Sequence, residues 1–223
     1  MTYSLRNEPA NRVRHVIFDF DGTIVDSMDV ALQLINQAAE KYHYHPVKSE
    51  DIEKLRRMSM PERFKALNVS PYHIPRIALE LVRNYTKSLR FIHIFEGMRE
   101  VILALKERGL TLSIISSNSN QNIRKFLADN NLDVFDHIYC AKNLFGKERT
   151  IASLIKKLNL KRQELIYVGD EHRDIIACQA NHIPVIAVTW GFDPPEVLEK
   201  AQPDYIAHQP ADILSIIDMT SDR

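Results

Sequence analysis

The chain has 223 residues, with 29 Lys and Arg against 29 Asp and Glu, so its formal net charge is zero. Apolar residues make up 45% and charged residues 26%, which excludes a disordered or fibrous chain and leaves room for one sizeable core. A charge-neutral chain has no global basic field to hold nucleic acid or an anionic membrane, and its apolar runs are too short to span a bilayer.

Residues 1–12 are polar and lack a signal-type apolar stretch. Residues 13–18 are a short apolar, β-rich run that predicts a buried strand ending at Asp19. Residues 28–90 contain no convincing strand. Ala31, Leu34, Ile35, Ala38 and Tyr42 share one helical stripe, and Ile77, Ala78, Leu81, Val82 and Tyr85 share another. Between them Ser59 and Glu62 make a capping-box pattern with Pro61 in the first turn. His43 and His45 lack a third partner, so they read as a helix end and loop rather than a metal site. Further strands are expected at 110–116, 137–140, 164–168 and 184–189, and helices at 97–108, 120–130, 148–159 and 172–181. Gly109 is the stop signal of the first of these helices. Cys140 and Cys178 form no CxxC pair, so packing roles and a reducing, cytoplasmic setting are expected.

Strands alternating with helices imply a parallel sheet covered on both faces. The fold class is therefore α/β: a Rossmann-like parallel sheet core, residues 1–27 plus 91–223, with an inserted helical domain at residues 28–90. In such sheets the reactive site lies beyond the carboxyl ends of the strands.

The predicted strand ends carry chemistry. Asp19 and Asp21 lie two apart, so in extended chain their carboxylates point the same way. Gly22 follows where the chain must turn, and two adjacent carboxylates stay ionised together only with a cation nearby. Oxygen ligands alone favour a small hard ion, Mg²⁺. The second strand ends in Ser116, Ser117, Asn118 and Ser119, whose hydroxyls, amide and turn N–H groups suit phosphate oxygens. Lys147 opens a helix, and Asp170 and Asp174 follow another strand with the spacing of one helical turn.

On these residues the chain resembles the haloacid dehalogenase superfamily, in its phosphoglycolate-phosphatase-like branch with a helical cap. Val16-Ile17-Phe18 running into Asp19-Phe20-Asp21-Gly22-Thr23 matches the first motif, Ser117 the second, Lys147 the third, and Gly169-Asp170 with Asp174 the fourth. The resemblance implies that Asp19 is the nucleophile and that Asp21 protonates the leaving alcohol and then helps activate water. It implies Mg²⁺ held by a carboxylate oxygen of Asp19, the backbone carbonyl of Asp21, and Asp170, with Asp174 as an outer-shell ligand or brace. It implies that Lys147, Ser117 and Asn118, with Gly22 and Thr23, hold the phosphoryl group. The substrate so implied is a small phosphorylated metabolite, taken by a monomer or homodimer. Dehalogenases of the superfamily lack the second Asp and the metal cluster, both of which this chain keeps.

The same resemblance makes the insert a mobile cap, with hinges expected at 25–28 and 90–96. Lys54, Arg56 and Arg57 then read either as a solvated face or as a site for a second anionic group on the substrate. Trp190 and Phe192 read as packing residues near the site mouth. The alternative readings are a sugar-phosphate mutase or pyrophosphatase of the same superfamily, and a phospho-accepting signalling domain.

Overall fold

Val16 and Phe18 turn to one apolar layer and Ile17 to another, the period-two alternation of a strand buried on both faces. The same alternation sends Ile166 and Val168, then Ile186 and Val188, to the first layer, and Leu165, Tyr167, Val185 and Ala187 to the second. This computed structural model describes residues 12–141 and 146–221.

In chain order β1 (His15–Phe18) and β2 (Val25–Asp26) lead into α1 (Met28–Tyr42), α2 (Ile52–Arg56), α3 (Met60–Ala66) and α4 (Ile74–Ser88). Next come β3 (His93–Ile94), α5 (Met98–Glu107), β4 (Thr111–Ser116), α6 (Asn120–Asp129), β5 (His137–Cys140) and α7 (Lys147–Leu158). The chain closes with β6 (Leu165–Gly169), α8 (His172–Asn181), β7 (Val185–Val188), α9 (Pro195–Lys200), β8 (Tyr205–Ala207) and α10 (Pro210–Ser221).

The main sheet has six strands in the order β5-β4-β1-β6-β7-β8, and every pairing in it is parallel. Side chains of α5, α6 and α10 cover one face, and those of α7 and α8 the other. β1 is central. The chain runs outward through β4 to β5 and then returns past β1 to β6, so the strand order reverses there. Phe18 registers with Ile114 of β4 and Val168 of β6, which brings Asp19, the turn after Ser116 and Asp170 to one edge.

The helical insertion has its own small core of Ala38, Ala39, Tyr44 and Ile77 between α1 and α4. The Ser59–Glu62 capping box starts α3 as expected, and His43 ends α1 in the left-handed region. At the two expected hinges, 25–28 and 90–96, Val25 and Asp26 pair antiparallel with Ile94 and His93, a two-stranded ribbon carrying both crossings. β8 completes the sheet where Pro203-Asp204-Tyr205-Ile206 resembles the family's C-terminal extended segment. The short α9 packs on α8 with Leu198 in the second layer, and α10 packs on α5 through Ile213, Ile216 and Ile217; neither helix was foreseen.

The amino end of β1 is also polar. His15 is 3% exposed and pairs with Ser113 Oγ at 2.7 Å. Burial, aided by nearby His137, lowers its pKa to about 4, so the ring is neutral at physiological pH.

Candidate active site

Asp19 follows the last residue of β1 and is 2% exposed. Its Oδ1 accepts from the Phe20 N–H at 2.7 Å, and its Oδ2 accepts from the Lys147 ammonium. Lys147 is the first residue of α7, and it also donates to Asp174 Oδ1. Burial alone would lower this ammonium, but Asp174 and Asp19 outweigh it and hold it well above the usual lysine range.

Asp170 stands at the end of β6, fully buried. Its Oδ1 accepts from Thr23 Oγ1 at 2.7 Å and its Oδ2 from the Phe192 N–H at 2.7 Å. Two glycines admit it. A Cβ at Gly22 would lie 2.2 Å from Asp170 Oδ2, and one at Gly191 would lie 2.3 Å from the same atom. Gly22 also has φ +80, a conformation L side chains rarely adopt. Gly22 and Thr23, expected beside the phosphate, both also serve Asp170, Gly22 by leaving it room and Thr23 by donating to it. Asp174 accepts from Tyr167 Oη at 3.2 Å and closes the capping box of α8 with Glu171.

Asp19, Asp170 and Asp174 each offer a carboxylate oxygen within 4.8 Å of the others. Glu171 lies beside them, 3.9 Å from Lys147 Nζ, and pairs with Arg173. Fully ionised, these four carboxylates would outnumber the cations Lys147 and Arg173 by two. Burial, with neighbouring carboxylates and against Lys147, raises Asp19 to about 7. Burial, with Glu171 and Asp19, raises Asp170 well above the ordinary range. An oxygen-only donor set with a two-charge deficit fits a small divalent cation.

Asp21 sits to one side of this cluster. Its Oδ2 accepts from Asn118 Nδ2 at 3.1 Å, and its Oδ1 accepts from the hydroxyl of Tyr85, on α4 of the insertion. Burial raises Asp21, partly offset by these two donors and by the neighbouring Ser27 hydroxyl. Burial, together with Asp21, likewise holds the Tyr85 phenol well above its usual value. Ser117 is half-buried in the turn between β4 and α6. In that turn Ser116 Oγ accepts from the Asn118 N–H at 3.0 Å, and Ser119 caps α6.

Lys54, Arg56 and Arg57 separate in space. Arg56 Nε donates to the Phe192 carbonyl at 2.8 Å and Nη2 to the Gly191 carbonyl at 2.9 Å. Arg57 Nε donates to Glu196 at 2.8 Å. Lys54 instead lines a cavity of about 330 Å³ with His45, Lys48 and Asp51 within the insertion. Arg63, not singled out from the sequence, pairs with buried Asp193, which accepts from the His172 N–H at 2.7 Å. Tyr85 was read as a residue of its helical stripe, and Gly191 and Asp193 were not singled out. A glycine two residues before an aspartate in the loop after β7 was the available signal.

A family model described as haloacid dehalogenase-like hydrolase matches residues 16–188. The chain belongs to that family. It is an enzyme of the phosphatase type within it, retaining both aspartates of the first strand end and the acidic loop after β6. It is 32% identical over 203 residues to a phosphoglycolate phosphatase of Synechococcus elongatus, covering 91% of this chain and 96% of the relative. It is 22% identical over 210 residues to the pyrophosphatase PpaX of Bacillus mycoides, covering 92% and 97%. A haloacid dehalogenase-like hydrolase structure from Streptococcus pneumoniae shares the fold, with TM-score 0.78, 21% identity, and 92% and 98% of the two chains covered. Among the described residues no helix is long and apolar enough to cross a membrane.

Proposed function

We propose that the chain is a Mg²⁺-dependent phosphatase that hydrolyses a small phosphate monoester through an aspartyl-phosphate on Asp19. The observation that carries this is the setting of Asp19. It is a buried carboxylate at the carboxyl end of the central strand, clasped by Lys147 and sharing a cation-sized acidic cluster with Asp170 and Asp174. A carboxylate held in place at the end of the strand is ready to meet a phosphorus atom bound beyond the sheet.

An Asp19 oxygen forms a bond to phosphorus as the bond from phosphorus to the leaving oxygen breaks, and Asp21 gives its proton to that oxygen. Water then attacks the same phosphorus, Asp21 takes its proton, and Asp19 is released. Lys147, Ser117 and Asn118 hold the phosphoryl oxygens during both steps. Asp19, Asp170 and the Asp21 carbonyl would hold Mg²⁺, with Asp174 behind them; when bound, it offsets the repulsion between a phosphate dianion and an anionic nucleophile. Asp174 acts by fixing Lys147 and Tyr167.

The substrate proposed first is phosphoglycolate, because the relative that acts on it is 32% identical over 91% of this chain. Pyrophosphate is the second candidate, carried by more distant relatives at 22% identity. The test is phosphate release over a metabolite panel containing both, with and without Mg²⁺, for the wild-type chain and Asp19→Asn. Metal-dependent release should fall by roughly 10⁴-fold or more in the variant, as when other enzymes lose a nucleophile. Substantial turnover by a folded Asp19→Asn protein would refute the nucleophile assignment.

A further inference from the structure

The donors around Asp21 come from two bodies. Asn118 belongs to the sheet side, in the turn after β4; Tyr85 belongs to the helical insertion, 64 residues along the chain from Asp21. Each takes one carboxylate oxygen, so the plane of the carboxylate is fixed only when both are present.

The orientation of Asn118 is itself forced. Its Oδ1 accepts from the Ser119 N–H at 2.8 Å and from Asn122 Nδ2 at 2.9 Å, which leaves Nδ2 for Asp21. Asn122 is 1% exposed and is tied in turn to the insertion. Its Nδ2 donates to the Val82 carbonyl at 3.0 Å, and its Oδ1 accepts from Thr86 Oγ1 at 2.6 Å. Val82, Tyr85 and Thr86 lie within four residues of α4, on the face turned toward the site. One helical turn of the insertion therefore sets both sides of Asp21, directly through Tyr85 and indirectly through Asn122 and Asn118.

We infer that Tyr85 is a positioning residue for the proton-transferring carboxylate: seated on Asp21, it aims that group at the leaving oxygen only while α4 is docked on the turn after β4. This rests on the reading of Asp21 as acid and base given above. The consequence is that docking of the insertion and readiness for proton transfer are one event.

A misplaced acid matters most where the leaving oxygen needs a proton. An alkyl leaving group such as that of phosphoglycolate needs one; the p-nitrophenolate of p-nitrophenyl phosphate leaves without it. The quantity to measure is kcat/KM, which covers the steps through cleavage of the ester bond. Tyr85→Phe keeps the ring and removes the hydroxyl. It should lower kcat/KM for the alkyl ester about tenfold to a hundredfold, the range supplied by one hydrogen bond to a charged group, with a much smaller loss on the aryl ester. Thr86→Val leaves Tyr85 in place and acts on Asp21 only through Asn122 and Asn118, so it should lower the alkyl-ester value in the same sense as Tyr85→Phe but by less. Equal losses on both esters in Tyr85→Phe would overturn the inference and make Tyr85 a docking residue only. A gain on both would also overturn it, showing that the hydroxyl merely obstructs the site. Asp19→Asn separates the two levels: turnover surviving that change refutes the phosphatase mechanism itself, whereas a uniform Tyr85→Phe effect refutes only the role of Tyr85.

Discussion

The helical insertion meets the sheet along two polar seams of opposite character. One is neutral on the insertion's side: the uncharged Tyr85, Thr86 and Val82 bond to Asp21 and Asn122, with Tyr85 7% and Asn122 1% exposed. The other is ionic: Arg56, Arg57 and Arg63 bond to the loop 191–193 and to Glu196, and Arg57 and Glu196 have side chains 53% and 54% exposed. Each seam ends on an acidic group of the site. The neutral one ends on Asp21; the ionic one ends on Asp170, through the Phe192 N–H, and on the start of α8, through Asp193. Neutral hydrogen bonds act only at contact, while charges attract over about 10 Å at 0.1 M salt. The ionic seam can therefore draw the two bodies together, and the neutral one sets their final register.

The largest effect is expected where the ionic seam touches the acidic cluster. Gly191 receives Arg56 on its carbonyl, and its missing side chain leaves room for Asp170. In Gly191→Ala the new Cβ would lie 2.3 Å from the Asp170 Cβ and Oδ2, both well inside van der Waals contact. Asp170 is fully buried and cannot swing aside, so the loop must move. Mg²⁺ affinity should fall by roughly 10–100-fold, the usual cost of disturbing the support of a ligand, and activity should fall with it. The single tryptophan, Trp190, neighbours Gly191 and bonds to the Thr23 carbonyl at 3.1 Å, so its fluorescence offers a direct Mg²⁺ titration. Wild-type affinity in Gly191→Ala would break the proposed link between this loop and the metal site.

The difference between the seams also marks what the sequence could disclose. Asp19, Asp21, Lys147, Asp170 and Asp174 were legible because each sits at a strand end or helix start, where a few adjacent residues declare both the element and its chemistry. The sheet was legible because buried parallel strands are short, continuous apolar runs. The ribbon of β2 and β3 was not, because each strand has only two residues and its partner lies beyond the whole insertion. Tyr85 fell on the same stripe as Ile77 and Leu81, and the stripe says only that it is buried, not that its hydroxyl meets Asp21. Arg56 read as part of a solvated face or of a site for a second anionic group because its partners, two backbone carbonyls 135 and 136 residues away, have no side-chain signature. α10 could have been read: Pro210 at its start and the spacing of Ile213, Ile216 and Ile217 are ordinary helix signals.

An intermediate effect is expected at Arg63 and Asp193. Burial, with Glu171, raises the Asp193 pKa even though Arg63 pulls the other way, so desolvation outweighs the ion pair. Removing Arg63 alone leaves a buried carboxylate held only by the His172 N–H. Arg63→Ala should cost about 3 kcal/mol, the lower end for a broken buried pair, because the Arg63 side chain is still 20% exposed. Asp193→Asn should cost less, since the amide still accepts from His172 and carries no charge to desolvate. Adding Asp193→Asn to Arg63→Ala should recover part of the loss in urea unfolding. Strictly additive losses would mean that the two residues are not coupled and that the ionic seam is weaker than its geometry implies.

The smallest effect should come from Arg57, and its size discriminates between the two seams. Its pairs with Glu53 and Glu196 lie in solvent, where an ion pair contributes at most about 1 kcal/mol. Arg57→Ala should therefore shift the melting temperature only slightly at low ionic strength and not at all in concentrated salt, because screening has already removed the attraction. Thr86→Val, on the neutral seam, should show the same shift at every salt concentration. If the Thr86 effect faded with salt as the Arg57 effect does, the neutral seam would owe its strength to the ionic one. The two contacts would then be a single electrostatic latch rather than a long-range attraction and a short-range register.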